Sequence, residues 1–142
     1  MTFENYKHSL RIQIRFGDID RLNHVNNACY LTYFESARVN YFQHLFIGHN
    51  WTKTGFVVAR SEIDHIRPVH LEDELYCFTR LVRIGNKSMT VKNSLVKKEE
   101  EQWIICAEGI GVLVAMDYTT RVSIPVPAQW RELLAHFEGT FF

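Results

Sequence analysis

One long stretch of this chain repeats its apolar residues at the spacing of a helix, and strand-like stretches lie on both sides of it. Its apolar positions recur every three or four residues, at Tyr30, Phe34, Ala37, Tyr41 and Leu45. That spacing puts them on one face of a helix. Asn26 and Asn27 suit the helix start because an asparagine side chain can accept from unpaired first-turn amides, and Gly48 suits its end. The pattern therefore predicts one long helix that buries a single face.

Alternating apolar and polar residues predict a strand before this helix, at residues 9–16, with Leu10, Ile12, Ile14 and Phe16 on its apolar face. After the helix we predict strands at residues 56–66, 74–84, 88–98 and 103–116, an extended segment at 121–127 and a short helix at 128–137. An antiparallel sheet with one apolar face needs a covering layer, which the long helix can supply. We therefore predict one α+β domain over residues 1–142, with the strand order left open.

Charge and cysteine content argue against several broad classes of protein. Sixteen basic residues balance sixteen acidic ones, so we expect no nucleic-acid partner, because nucleic-acid binding depends on a basic excess. No apolar run approaches the roughly 20 residues of a membrane span, and the first residues contain no secretory signal, so we expect a cytoplasmic protein without membrane contact. The three cysteines lie in apolar surroundings typical of reduced, buried side chains. The seven histidines form no recognised ligand spacing, so no metal is expected.

Two carboxylates, Asp18 and Asp20, lie in the polar loop between the first strand and the long helix. Aspartate is common in such loops because its side chain bonds to nearby backbone amides, so a purely structural role is one interpretation. The other interpretation is chemical. A free aspartate side chain has a pKa of about 3.9, so at neutral pH it is an anion that can act as a base or a nucleophile. Residue types alone leave both interpretations open.

Three consecutive motifs resemble the signature of the 4-hydroxybenzoyl-CoA thioesterase-like branch of the hotdog superfamily. They are Phe16-Gly17-Asp18-Ile19-Asp20, Asn23-His24-Val25-Asn26-Asn27 and Tyr30-Leu31-Thr32-Tyr33-Phe34-Glu35-Ser36-Ala37-Arg38. Asn23 stands where the family often has glycine, a tolerable departure because asparagine also enters left-handed backbone conformations. Weaker similarity at residues 66–75, 82–89 and 121–125 extends the resemblance over almost the whole chain. It implies a hotdog fold, in which a curled antiparallel sheet of five to six strands wraps around one long central helix, and an acyl-CoA thioesterase.

The resemblance also implies roles for the residues of these motifs. Asp20 matches the catalytic carboxylate, which would activate water or attack the acyl carbon directly. Amides at the helix start, those of Asn27 and Ala28, would stabilise the developing oxyanion with the helix dipole behind them. His24 could orient water, polarise the carbonyl or only hold the loop. Tyr30 is expected to shape the acyl pocket.

The other polar residues of the motifs are expected to be structural. Asp18 would bond loop amides or pair with an arginine, and Glu35 and Arg38, three positions apart on a helix, would form an ion pair. By family position, the candidates for binding coenzyme A are Arg83, Lys87, Ser88 and Arg121, although charges at strand ends are often only solvated. Coenzyme A would be part of the substrate, so no separate cofactor is expected.

Two other functions remain open at this point. A hotdog hydratase or dehydratase typically has an Asp-x-Asn-x-x-His motif, whereas His24 follows Asp20 by four residues and the asparagine is missing. A non-catalytic binding module for acyl-CoA or acyl-carrier protein is disfavoured by the intact Asp20. The thioester could be carried by either of those two carriers, and the acyl group is not predicted. Open sheet edges, and family members that build the active site between two subunits, lead us to expect a homo-oligomer, either a dimer or a dimer of dimers.

Overall fold

The computed structural model describes residues 5–142, in which two helices accompany one six-stranded antiparallel sheet. Strand β1 spans His8–Ile12, β2 Thr54–His65, β3 Glu74–Ile84, β4 Ser88–Glu99, β5 Gln102–Asp117 and β6 Val122–Ser123. Helix α1 spans Asn27–Leu45 and α2 spans Ala128–Glu138. Along the sheet the strands follow the order β1-β3-β4-β5-β2, and β6 pairs with the end of β5. The predicted α+β class is confirmed.

Helix α1 packs against β1, β3 and β4. Its buried side chains are Tyr30, Tyr33, Phe34, Ala37, Arg38, Tyr41 and Phe42. All but the arginine are apolar or aromatic, so burying this face removes a large apolar area from water, the dominant favourable contribution to folding. The predicted apolar face is therefore confirmed over most of its length, with Leu45 partly buried at the last position.

Helix α2 attaches to the far end of this core. It buries Trp130 and Leu134 beside the last turn of α1. Its last residue, Glu138, accepts hydrogen bonds from the Tyr41 hydroxyl at 2.7 Å and from the Leu81 amide at 2.8 Å. One carboxylate therefore ties α2 to both α1 and β3.

One predicted strand boundary is wrong, and one predicted extended segment adds little to the sheet. The first strand ends at Ile12 instead of residue 16, because a 3₁₀ turn begins after Arg15 and leaves Phe16 84% exposed. The extended segment predicted at residues 121–127 contributes only the two residues of β6 to the sheet. Arg121 has a φ of 60° in the turn before it, and Pro125 and Pro127 have no amide to donate to a neighbouring strand.

Strand β2 forms one edge of the sheet, since β5 is its only partner among residues 5–142. Its pairing with β5 shifts register between Val58 and Arg60, and residues 57–62 are exposed. Neither helix in the described part of the chain has the length and apolar character needed to cross a membrane.

Candidate active site

The loop that precedes α1 is held in a tight turn by its own backbone. Ile19 and Val25 form an isolated antiparallel bridge, and between them the Asp20 amide donates to the His24 carbonyl at 2.9 Å. The Asn23 amide donates back to the Asp20 carbonyl at 3.0 Å. Asn23 has a φ of 66°, in the left-handed region that asparagine tolerates better than most residues. This conformation explains why asparagine can replace the family's glycine here.

The turn orients the carboxylate of Asp20. Its Oδ1 accepts hydrogen bonds from the Leu22 amide at 2.9 Å and from the His24 amide at 3.4 Å. The residue is exposed, and none of the ion pairs among residues 5–142 includes it. One oxygen is thus fixed by the main chain, while Oδ2 is left to accept a proton or attack a substrate.

A cleft of about 330 Å³ opens beside this carboxylate, between the start of α1 and the end of β2. Its lining includes Asp20, His24, Asn27, Tyr30, His65 and Arg67. The structure therefore brings together the three residues predicted to be catalytic and the tyrosine predicted to contact the acyl group.

His65 and Arg67 were not predicted as site residues. The His65 ring stands edge-on to the Tyr30 ring, with 4.7 Å between the ring centroids. Both residues lie at the end of β2, about 40 positions away from the Asp20 loop in the chain. The weak similarity at residues 66–75 gave Arg67 no role and no motif includes His65, because only the pairing of β2 at the edge of the sheet brings the two residues to the cleft.

The helix start presents one available amide to the cleft. Asn26 caps the helix, since its Oδ1 accepts from the Ala28 amide at 2.9 Å and its carbonyl accepts from the Cys29 amide at 2.9 Å. Within residues 5–142 the Asn27 amide has no acceptor. The expectation that the Ala28 amide would also be available is wrong, because the cap already uses it. The Asn27 amide carries the partial positive charge of the helix terminus.

Asp18 has the structural role predicted for it. Its carboxylate is buried and accepts from the Tyr33 hydroxyl at 2.7 Å, from the Arg15 amide at 3.1 Å and from the Arg15 guanidinium at 3.1 Å. Burial acts to raise the pKa of Asp18, but the hydrogen bonds from Tyr33 and Arg15 outweigh it and hold that pKa below its ordinary value. Asp18 thus pins the loop to α1 and stays ionised.

The His24 side chain rests on a second loop, between β2 and β3. Its ring meets the ring of His70 edge-on, with 5.1 Å between the centroids. The Asp73 carboxylate accepts from the His70 amide at 2.8 Å and lies 3.6 Å from the Lys97 ammonium. The Val25 amide also donates to the Val69 carbonyl at 2.8 Å. This second loop packs against the Asp20 loop, a role that the similarity at residues 66–75 did not predict.

The residues predicted to bind coenzyme A lie at the hairpin between β3 and β4 and at the turn before β6. Lys87 is exposed and its ammonium lies 3.4 Å from the Ser123 hydroxyl, which links the two turns. Arg83 and Arg121 are exposed, and Ser88 is half-buried opposite Val114. The structure therefore groups Arg83, Lys87, Ser88 and Arg121 at one end of the sheet.

That end is opposite to the Asp20 cleft. Leu75, at the start of β3, pairs with Ile12 close to the Asp20 loop, whereas the hairpin follows Ile84 at the other end of the strand. At about 3.3 Å per residue, the nine steps along the strand from Leu75 to Ile84 span roughly 30 Å. One chain does not bring its predicted coenzyme A residues to its own Asp20.

Two of the cysteines are poor candidates for a nucleophile, and residues 5–142 contain no cluster of three metal-binding side chains. All three cysteines are free, and burial raises the pKa of Cys77 to about 12 and that of Cys106 to about 11. Such thiols stay protonated at neutral pH and are poor nucleophiles. Among residues 5–142 no group of three histidine, cysteine, aspartate or glutamate side chains is placed to hold a metal ion.

Comparison with known proteins gives consistent matches. The chain matches the thioesterase-like superfamily over residues 14–135. A Thermus thermophilus thioesterase complexed with coenzyme A and Zn is 35% identical, with a TM-score of 0.83 over 99% of this chain and 100% of that one. The long-chain acyl-CoA thioesterase FadM of Escherichia coli K12 is 29% identical over 130 residues, which cover 87% of this chain and 94% of FadM.

A 4-hydroxybenzoyl-CoA thioesterase complexed with 4-hydroxybenzoyl-CoA shares the fold, with a TM-score of 0.82 at 18% identity. The superposition covers 89% of this chain and 96% of that one. Together with the sheet order, these matches confirm the hotdog fold and the family resemblance predicted from the three motifs.

Proposed function

Because the chain belongs to the thioesterase-like superfamily and is a thioester hydrolase, we propose that it hydrolyses acyl-CoA thioesters in the Asp20 cleft. One observation carries this proposal. Two backbone amides fix one oxygen of an exposed carboxylate at a cleft that Asn27 also lines, and the Asn27 amide has no acceptor among residues 5–142. A base or nucleophile beside a positive helix terminus is the pair of groups that acyl transfer requires.

In the proposed reaction the thioester carbonyl oxygen accepts a hydrogen bond from the Asn27 amide. Asp20 removes a proton from a water molecule, and that water attacks the acyl carbon. As the tetrahedral intermediate collapses, the carbon–sulfur bond breaks, the thiolate leaves and the proton passes to it from Asp20. The helix dipole stabilises the negative charge on the oxygen as it develops.

The same geometry also permits direct attack by Asp20. The carboxylate would then form a mixed anhydride with the acyl group and release the thiolate, and water would hydrolyse the anhydride. A single turnover in ¹⁸O-water that labels the Asp20 side chain would establish the anhydride, because general-base catalysis leaves that side chain unlabelled. We assign His24 a positioning role, because its amide donates to Asp20 while its ring contacts the ring of His70.

We propose that Arg83, Lys87, Ser88 and Arg121 bind the coenzyme A part of a thioester whose acyl carbon lies in the cleft of another copy. The roughly 30 Å along β3 supports this assignment, because it separates the four residues from Asp20 of the same chain. A homo-oligomer, either a dimer or a dimer of dimers, is therefore the proposed active form. The thioester carried by an acyl-carrier protein is the alternative substrate.

We further propose that the preferred acyl group is a long apolar chain. A second cavity between α1 and β2, of about 300 Å³, is lined by Val39, Phe42, Gln43, Trp51, Phe56 and Tyr118. Five of these six side chains are apolar or aromatic and suit a hydrocarbon chain. The action of FadM on long-chain acyl-CoA supports the proposal. Because this cavity lies near the end of α1, it too would serve the Asp20 cleft of another copy.

The test is release of free thiol from a panel of acetyl-, benzoyl- and palmitoyl-CoA, with Asp20→Asn as the control. We expect turnover to be highest for palmitoyl-CoA, and Trp51→Ala to reduce palmitoyl-CoA hydrolysis more than acetyl-CoA hydrolysis. Binding of acyl-CoA without thiol release would favour the non-catalytic module. Hydration of crotonyl-CoA without thiol release would favour the hydratase.

A further inference from the structure

The hairpin between β3 and β4 contains Lys87 and Ser88, and its turn is only half closed by its own backbone. The tight turns that hairpins favour need a positive φ at their first central residue, and neither Asn86 nor Lys87 has one. The Gly85 amide donates to the Ser88 carbonyl at 2.7 Å, but no main-chain amide among residues 5–142 donates to the Gly85 carbonyl. Contacts from elsewhere in the chain are therefore needed to fix this turn.

Helix α2 supplies the missing donor. The guanidinium of Arg131, one turn into α2, donates to the Gly85 carbonyl and to the Asn86 carbonyl, the latter at 3.2 Å. The Asn86 carbonyl also accepts from the amide of Val126, two residues before the helix, at 2.9 Å. A carbonyl oxygen has two lone pairs, so both bonds can form at once. Two consecutive carbonyls of the turn are thus bonded to α2 and to the segment that leads into it.

Core packing fixes the position of Arg131 relative to the hairpin. Trp130 and Leu134 of α2 are buried in the same apolar cluster as Ile84 and Met89, which flank the hairpin turn. Arg131 itself is half-buried, and no carboxylate among residues 5–142 forms an ion pair with it. Its guanidinium therefore serves the turn alone, through charge-assisted hydrogen bonds that are stronger than those between neutral groups.

We propose that Arg131 is a positioning residue for coenzyme A, which fixes the hairpin so that Lys87 and Ser88 can contact the phosphates of the ligand. Arg131 acts through the turn and does not touch the ligand itself. A fixed hairpin binds more tightly than a mobile one, because less conformational entropy is lost on binding. The inference rests on the proposed coenzyme A site at this hairpin and adds a role for α2 that no motif of the sequence indicated.

The test compares two substrates with the same acyl group, octanoyl-CoA and the octanoyl thioester of N-acetylcysteamine, which has no phosphates. Loss of the hydrogen bonds in Arg131→Met should raise KM for octanoyl-CoA by about three- to tenfold and leave kcat within about twofold of the wild type. KM for the phosphate-free thioester should not change. Wild-type KM for octanoyl-CoA, or an equal rise for both substrates, would overturn the inference.

A double variant distinguishes positioning from direct contact with a phosphate. If Arg131 acts through the hairpin, Arg131→Met combined with Lys87→Met should raise KM by less than the product of the two separate factors. Full multiplication of the factors would mean that Arg131 contacts the ligand directly, and the positioning role would fall. Glu132→Gln, at the exposed neighbouring residue of α2, is the matched control and should leave KM unchanged.

A second variant and a binding measurement complete the test. Arg131→Lys keeps a donor at the end of a long side chain and should bring KM back towards the wild-type value, and thermal unfolding checks that both Arg131 variants fold. Calorimetry with free coenzyme A tests the inference without turnover. Equal affinity of the wild type and Arg131→Met for coenzyme A would overturn the positioning role, whereas absence of thiol release by the wild type would overturn the proposed hydrolysis alone.

Discussion

Different kinds of contact hold the two ends of helix α1 in place. At its start, backbone amides and the Asn26 cap hold polar atoms in place within an exposed loop. At its end, aromatic rings pack together in the core, and Phe46 and Trp130 are stacked with 5.0 Å between the ring centroids. The difference separates the reacting groups from the aromatic packing, because the reacting carboxylate lies in the exposed polar loop and the aromatic end contains none of the reacting groups.

The largest effect should come from Asp20→Asn at the polar end. Removing the base or nucleophile should lower kcat by about 10²–10⁴-fold, while the melting temperature stays within a few degrees of the wild type because the side chain is exposed. Thiol release and thermal unfolding measure the two quantities. Glu72→Gln, at an exposed carboxylate outside the cleft, serves as the control and should leave both unchanged. Wild-type turnover by Asp20→Asn would contradict the assignment.

Trp130→Ala at the aromatic end should have the converse effect. Loss of a buried tryptophan typically lowers the free energy of unfolding by about 3–5 kcal/mol, through lost burial and the cavity left behind. Denaturant unfolding measures this loss, and kcat of the remaining folded enzyme should be close to that of the wild type. The comparison variant is Trp103→Ala, at a tryptophan on the sheet that is 41% exposed, and its loss of unfolding free energy should be smaller. If Trp103→Ala proved equally costly, the aromatic end would not be the main source of stability.

Asp18 shares one property with each end of α1. It is a charged residue of the polar loop, and its side chain is buried. Its folded-state pKa lies below the ordinary value of 3.8, so its ionised form stabilises the fold above that value. The contribution is lost as the pH falls through the folded-state pKa. We expect Asp18→Asn to be less stable than the wild type at pH 7, and the difference to shrink as the pH falls below 3.8. A difference that is constant with pH in denaturant unfolding would contradict this account.

The smallest effect should come from Asn26→Ala, which removes the cap of α1. Loss of a helix cap costs about 1 kcal/mol, and the freed Ala28 amide would add a second donor at the helix start. Chemical unfolding should detect the loss, and Asn26→Asp should restore most of the stability because aspartate caps equally well. Full stability in the alanine variant would show that the packing of α1 alone fixes its start.

The features that the sequence predicted correctly are those that depend on residues close together in the chain. The apolar positions of α1 follow from spacings of a few residues, which a single helix determines. The site roles of Asp20, His24 and Asn27 came from the family resemblance of one continuous segment, so these residues are also close together in the chain. His65, Arg67 and His70 escaped prediction because strand pairing brings them to the loop from distant positions. The exposure of Phe16 also escaped, since alternation continued through a segment that the Arg15–Asp18 contacts turn into a 3₁₀ helix.

The Asp20 carboxylate owes its orientation to the amides of Leu22 and His24, and not to their side chains. The side chains at positions 22 and 24 can therefore be changed while the carboxylate keeps its hydrogen bonds. Any residue with an amide can supply the bonds at positions 22 and 24, so a library randomised at these two positions, with proline left out, should keep many active members. Both side chains line the cleft, so such a library would sample substrate preference while the reacting group stays in place.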